Sequence, residues 1–130
     1  MIYLDTSAAA KLVHTEAESA ALTLYLAERL TTPLVSSVLL YPELVRAVTR
    51  HQPALLPRAV ALFQRIMTVP MSSDIVIDAA SVGTPQLRTL DALHLATAAT
   101  IARGLDAFLT YDKRLGDAAG STGLAVAAPA

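Results

Sequence analysis

The chain has 130 residues, of which 54% are hydrophobic but only 5% aromatic. It has no Cys and a formal net charge of −1. Such a length suffices for one domain with a real core, here built from Ala, Leu and Val. The lack of Cys excludes disulfides, thiolate zinc sites and cysteine nucleophiles, and the near-neutral charge excludes a nucleic-acid binder held by bulk positive charge. 

Ile2-Tyr3-Leu4 is an apolar run without polar alternation, which reads as a strand covered on both faces of a parallel sheet. It stops at Asp5, followed by Thr6 and Ser7. In open α/β sheets the ligand crevice lies beyond the carboxyl ends of the strands, which would put Asp5 in it. Asp also caps helices well, and a helix over 6–13 begins here. A longer helix is expected from 15 to 30, with Leu22, Tyr25, Leu26 and Leu30 at helical spacing. Leu34-Val35 reads as the second strand, and Ser36-Ser37 as the cap of a helix to about His51. Leu40, Leu44, Ala47 and Val48 form the core stripe of that helix, and Pro42 is expected to loosen or kink it.

Residues 57–66 read as an amphipathic helix and 67–69 as a third strand stopped by Pro70. Ser72 or Ser73 opens a helix through about Val82, and Gly83-Thr84-Pro85 is a turn. From Thr89 to Arg103 the pattern is apolar nearly all round, the mark of a buried helix, with Gly104 as its C-cap. Residues 107–109 form the fourth strand, 113–119 a short helix and 124–126 the fifth strand, after which the tail is expected to fray. Alternating strands and helices predict a parallel sheet with helices on both faces. No linker or repeat divides the chain, so one domain over 1–130 is expected. No apolar run approaches the roughly 20 residues of a membrane span, and no cationic leader is visible, so a cytoplasmic protein is expected.

Four acids fall where surface solvation explains them poorly. Asp5 and Asp112 follow buried strands, Glu43 lies beside the stripe of its helix, and Asp91 opens the most apolar helix. Carboxylates gathered about 5 Å apart repel by about 3 kcal/mol per pair at an effective dielectric of about 20. A bound divalent metal resolves that conflict, and an all-oxygen set suits Mg²⁺ or Mn²⁺.

The segments Ile-Tyr-Leu-Asp5-Thr-Ser, Ser36-Ser37 with Glu43-Leu44, Leu-Arg88-Thr-Leu-Asp91-Ala-Leu-His94-Leu-Ala and Leu-Thr110-Tyr-Asp112-Lys-Arg-Leu resemble the PIN-domain family. They are similar in particular to the VapC toxins of bacterial type II toxin–antitoxin pairs. The resemblance spans the whole chain, with its strongest parts in the last two motifs. It implies a PIN-like three-layer α/β/α sandwich with a five-stranded parallel sheet. It further implies Mg²⁺-dependent RNA cleavage, a homodimer, and inhibition by a cognate VapB-type antitoxin. By resemblance Asp5, Glu43, Asp91 and Asp112 are the catalytic, metal-binding acids, and Thr110 is a nearby hydroxyl. Asp117 is either the additional acid that some members use or an exposed acid in a short helix. Pro42, directly before Glu43, departs from the pattern.

Thr6 and Ser7 stand beside Asp5 as auxiliary hydroxyls. Lys11, Arg46, Arg50, Arg88, Lys113 and Arg114 flank the acids and are the expected contacts to RNA phosphates. His94 reads as a hydrogen-bonded core histidine, with a role beside a metal-bound water as the sharper alternative. Leu22, Tyr25, Leu26, Leu55, Leu56 and Phe63 are core candidates that could in part line a groove for an antitoxin helix. Two other readings fit the same composition. One is an inactive PIN scaffold that only binds partners. The other is a receiver-like Mg²⁺-binding signalling domain, disfavoured because the third and fifth strands lack its phospho-accepting Asp and its Lys.

Overall fold

The apolar run at the start of the chain does form a strand, β1 (Ile2–Leu4), with all three residues buried. Its side chains alternate across the sheet as the strand period requires. Ile2 and Leu4 enter one core, and Tyr3 the other. A computed structural model describes residues 1–130 and continues with α1 (Thr6–Val13), α2 (Ser19–Ala27), β2 (Leu34–Ser37) and α3 (Leu40–His51). Then follow α4 (Leu56–Gln64), β3 (Ile66–Val69), α5 (Ser73–Ala79), α6 (Thr89–Thr100), β4 (Ala107–Leu109), α7 (Lys113–Ser121) and β5 (Val126–Ala127).

All strand pairings are parallel, in the order β3-β2-β1-β4-β5. Helices α1 to α4 pack their apolar stripes on the Ile2/Leu4 face. Helices α6 and α7 cover the Tyr3/Phe108 face, with α5 against α6. This is the expected three-layer α/β/α sandwich. The strand order differs from the 2-1-3-4-5 order of receiver domains, which removes the signalling alternative. The chain runs outward through β1, β2 and β3, then returns to place β4 on the other side of β1. The reversal between β1 and β4 is where a crevice opens at the carboxyl ends of the strands.

Several local expectations are corrected. Ser36 and Ser37 do not cap α3; they extend β2 and are fully buried. Ser36 donates its hydroxyl proton to the Leu4 carbonyl at 2.6 Å, and Ser37 Oγ accepts the Leu39 N–H at 3.1 Å. The helix therefore starts later, at Leu40, so that Pro42 is its third residue. Helix N–H groups at that position have no intrahelical acceptor anyway, so proline costs no bond there. Glu43 N–H still reaches the Leu39 carbonyl at 3.2 Å, and the helix runs on as one element to His51.

The second helix stops at Ala27, leaving Leu30 outside it and 82% exposed. Gly104 is not the C-cap of α6. That helix ends at Thr100 with Ile101 as cap, and the glycines with positive φ are Gly83 and Gly123. The tail is tied down at one point, where the Tyr111 hydroxyl donates to the Pro129 carbonyl at 2.7 Å. No helix is long and apolar enough to cross a membrane.

Candidate active site

Asp5 follows β1 and caps α1, accepting the Ala8 N–H on Oδ1 at 2.8 Å. It is only 3% exposed. The Ser7 hydroxyl faces both carboxylate oxygens at 2.7 and 2.9 Å, and Thr110 Oγ1 donates to Oδ2 at 2.5 Å. Burial raises the pKa of this carboxyl, and the bonds from Thr110, Ser7 and Ala8 oppose the rise. Thr110 comes from the end of β4, so its bond to Asp5 crosses the β1/β4 switch. Thr110 also accepts the Asp112 N–H at 3.1 Å, and Ser7 accepts the Tyr111 N–H at 2.8 Å. Two hydroxyls thus tie the ends of two strands far apart in sequence.

Asp112 caps α7 through Oδ1, which accepts the Leu115 N–H at 2.9 Å. Its Oδ2 is free of that duty and pairs with Arg88 Nη2 at 3.0 Å. Arg88 Nε lies 3.2 Å from Asp91 Oδ2, so one guanidinium bridges Asp91 and Asp112. Arg88 is 71% exposed, while Asp91 and Asp112 are 19% and 25% exposed. Sequence spacing placed a cation near Asp91 but could not show that it spans to an acid 24 positions away.

Glu43, in the first turn of α3, has no cationic partner on its own helix. Its Oε1 is 2.7 Å from His94 Nε2. His94 is 1% exposed, in the middle of α6, and its Nδ1 is 2.8 Å from the Tyr3 hydroxyl. Thr6 Oγ1 stands at 3.4 Å from Nε2. The core reading of His94 is right, yet the same ring touches one of the four acids. Tyr3 was absent from the expected site. Its signal was available: a tyrosine in a central buried strand must find a partner for its hydroxyl.

The four acids are therefore linked through intervening side chains. Asp5 reaches Asp112 through Thr110, Asp112 reaches Asp91 through Arg88, and Glu43 reaches Thr6, beside Asp5, through His94. As the side chains lie, no three Asp, Glu or His groups are gathered tightly enough to hold an ion by themselves. Magnesium does not demand that: it keeps several waters and takes one or two carboxylates together with substrate phosphate. The donor set fits such an ion, being entirely hard oxygen, with a guanidinium already standing as the positive charge between Asp91 and Asp112.

The remaining cations divide. Lys11 is held by Glu16 at 2.7 Å and Glu18 at 2.8 Å, with its ammonium 4.8 Å from the Tyr111 ring. Lys113 pairs with Asp117 at 3.0 Å on the exposed face of α7. Arg46, Arg50 and Arg114 are exposed without an ion pair. Leu22 is fully buried and lines no groove. An apolar cleft of about 430 Å³ does exist nearby, with Leu26, Leu30, Leu34 and Leu62 in its wall and Arg58 and Arg65 at its rim.

Comparison with known proteins bears on this arrangement. The model of the PIN domain family matches residues 2–121. Ribonuclease VapC35 of Mycobacterium tuberculosis is 42% identical over 131 residues, covering 99% of this chain and 97% of the relative. Among solved structures, M. tuberculosis VapC20, described as a toxin that cleaves the sarcin–ricin loop, aligns with a TM-score of 0.78 at 16% identity, covering 99% of this chain and all of the other. VapBC2 from Rickettsia felis, bound to a DNA fragment from its promoter, aligns at 0.74 and 15% identity over the full length of both chains. At those identities the structures bear on the fold alone.

Proposed function

The chain belongs to the PIN-domain family, in its VapC branch, and on that footing we propose that it is a divalent-metal-dependent endoribonuclease, the toxin of a type II toxin–antitoxin pair. What supports this most is the connected set of acids from β1, α3, α6 and β4 at the β1/β4 switch. Asp5, Glu43, Asp91 and Asp112 would hold Mg²⁺, with Mn²⁺ able to substitute. When bound, such an ion supplies acidification of water and neutralisation of phosphate charge.

The chain's own groups do the rest. Ser7 and Thr110 hold Asp5 in place through its two oxygens. Arg88 releases Asp91 and Asp112 and turns its guanidinium to a phosphate of the RNA, a group it can grip bidentately. Arg46, Arg50 and Arg114 extend the phosphate contacts, and Lys113 joins them by leaving Asp117. Since no pair of histidines stands ready as base and acid, the 2′-hydroxyl route lacks its usual machinery. Hydrolysis leaves a 5′-phosphate and a 3′-hydroxyl.

The partner is a VapB-type antitoxin. Its helix suits the apolar cleft beside Leu26 and Leu62, and an arginine from it would pair with the crevice carboxylates as Arg88 does now. The protein acts as a single domain over 1–130, as a homodimer, in the cytoplasm. The test is cleavage of cellular RNA by the purified chain with Mg²⁺, against Asp5→Asn, with the ends of the products mapped. New ends that ligate directly, without phosphatase treatment, are expected. Cyclic-phosphate ends formed in chelator would overturn the mechanism. A folded wild type that never cuts RNA would make the chain a binding scaffold.

A further inference from the structure

The metal reading leaves Tyr3 and His94 without a task, yet both are buried and hydrogen-bonded beside the acids. Donor counting fixes their protons. The Ser37 N–H can only donate, so the Tyr3 oxygen accepts it, at 3.1 Å. The hydroxyl's other hydrogen bond is to His94 Nδ1 at 2.8 Å. An ordinary phenol keeps its proton at neutral pH. That proton therefore points to Nδ1, which accepts it, and the ring carries its own proton on Nε2. Nε2–H then donates to Glu43 Oε1 at 2.7 Å. Glu43 Oε2 takes no protein hydrogen bond.

The relay is rigid at its base. Tyr3 stacks on Phe108, with ring centroids 5.0 Å apart and planes 9° from parallel, and His94 meets the Tyr3 ring edge-on at 85°. Glu43, by contrast, is a long side chain at a partly exposed helix start. Resting on the metal-site reading above, we propose that Tyr3 and His94 are positioning residues. Tyr3 fixes the tautomer of His94, and His94 anchors one oxygen of Glu43 so that the other is left for the cation. The relay also ties β1, which ends at Asp5, to α6, which carries Asp91. Outer partners that orient a ligand in this way affect metal affinity about 10- to 100-fold.

The test compares wild type, Tyr3→Phe, His94→Leu, His94→Gln and Glu43→Gln in the full chain. Mn²⁺ affinity is measured by electron paramagnetic resonance of the free ion, and the His94 tautomer by ¹⁵N NMR. Wild type is expected to show a bare Nδ1 and a protonated Nε2. His94→Leu is expected to weaken Mn²⁺ binding by about tenfold or more. His94→Gln, whose amide N–H can replace Nε2–H, should recover most of the loss, and a role in packing alone predicts no such rescue. Tyr3→Phe keeps the stacking and removes only the hydroxyl, so it should mix the tautomers and weaken Mn²⁺ a few-fold.

Should His94→Leu fail to fold, Tyr3→Phe against wild type decides. Equal Mn²⁺ affinity in wild type and the folded His94 or Tyr3 variants overturns the positioning role while leaving the metal site standing. Absence of Mn²⁺ binding in wild type and Glu43→Gln alike overturns the metal reading, and the relay's task with it.

Discussion

The crevice has two walls of opposite character. On one, Asp5 and His94 are deeply set and held by neutral donors from β1, α1 and β4, and the partly exposed Glu43 is bonded to His94. On the other, Asp91 and Asp112 are partly open to solvent and linked by an arginine that is itself mostly exposed. Neutral hydrogen bonds in a dry interior fix geometry, because an unmade bond there leaves a desolvated group. An exposed ion pair is worth little and is easily exchanged for another charge. The contrast suggests a division of labour. The buried wall sets where a ligand must sit, and the exposed wall can open to admit it.

The largest effect should come from the buried wall. Asp5→Asn is expected to lower RNA cleavage by about 100- to 1000-fold, the scale for loss of one organised electrostatic group. Its stability should move the other way. Burial raises the folded pKa of Asp5, so the folded chain holds a proton that the unfolded chain has already lost. Stability from this group is therefore full at low pH and falls as pH rises from about 4 through the raised value. Asparagine keeps the cap and removes that slope. In chelator the variant should melt at or above the parent temperature at pH 7, with the advantage vanishing toward pH 4. A variant that unfolds in chelator would make Asp5 a structural cap only.

Metal tests both walls together. Saturating Mg²⁺ or Mn²⁺ should raise the melting temperature, by about 2.7 kcal/mol of added stability at a hundredfold excess over Kd. Asp91→Asn or Asp112→Asn should shrink the shift, which differential scanning calorimetry would read directly. No shift in the parent at millimolar metal would count against the four acids as a metal site.

Thr110→Val probes the seam between the strands. It removes a donor to Asp5 and an acceptor for the Asp112 N–H, and should cost about 1–3 kcal/mol in denaturant unfolding. Thr110→Ser should recover most of that. Equal stability of all three proteins would mean that water replaces the hydroxyl. The smallest effect belongs to the exposed wall. Arg88→Ala should change stability by about 1 kcal/mol or less and tighten Mn²⁺ by no more than about fivefold, since a weak competing cation is gone. A large loss of stability on this substitution would erase the distinction between the walls.

What could be read from the sequence follows the same division. Unbroken apolar runs at Ile2–Leu4 and Ala107–Leu109 announce central strands, and the acids that end them announce a crevice, because both signals are local. Glu43's partner was illegible, since His94 lies 51 positions away and only the fold brings them together. The boundary of α3 was misread for a related reason. Two serines look like a cap, but tertiary burial drew them into β2, where Ser36 satisfies the Leu4 carbonyl. That shift of start point also turned Pro42 from a helix breaker into a tolerated first-turn residue. Leu30 matched the helical period of α2, yet the helix ended before it and the period carried no burial.

The sheet order has a consequence for synthesis. Ile2 leaves the ribosome long before Ala107, one of its two strand partners. Closing so long a loop is slow and can begin only when most of the chain is made. A nascent chain halted before β4 would display Asp5 without Thr110 or Asp112, and so would have no second side to its crevice. The cluster of Asp5, Thr110 and Asp112 is thus completed only once β4 has emerged, and on the proposed function fragments that stop before it should leave RNA uncut.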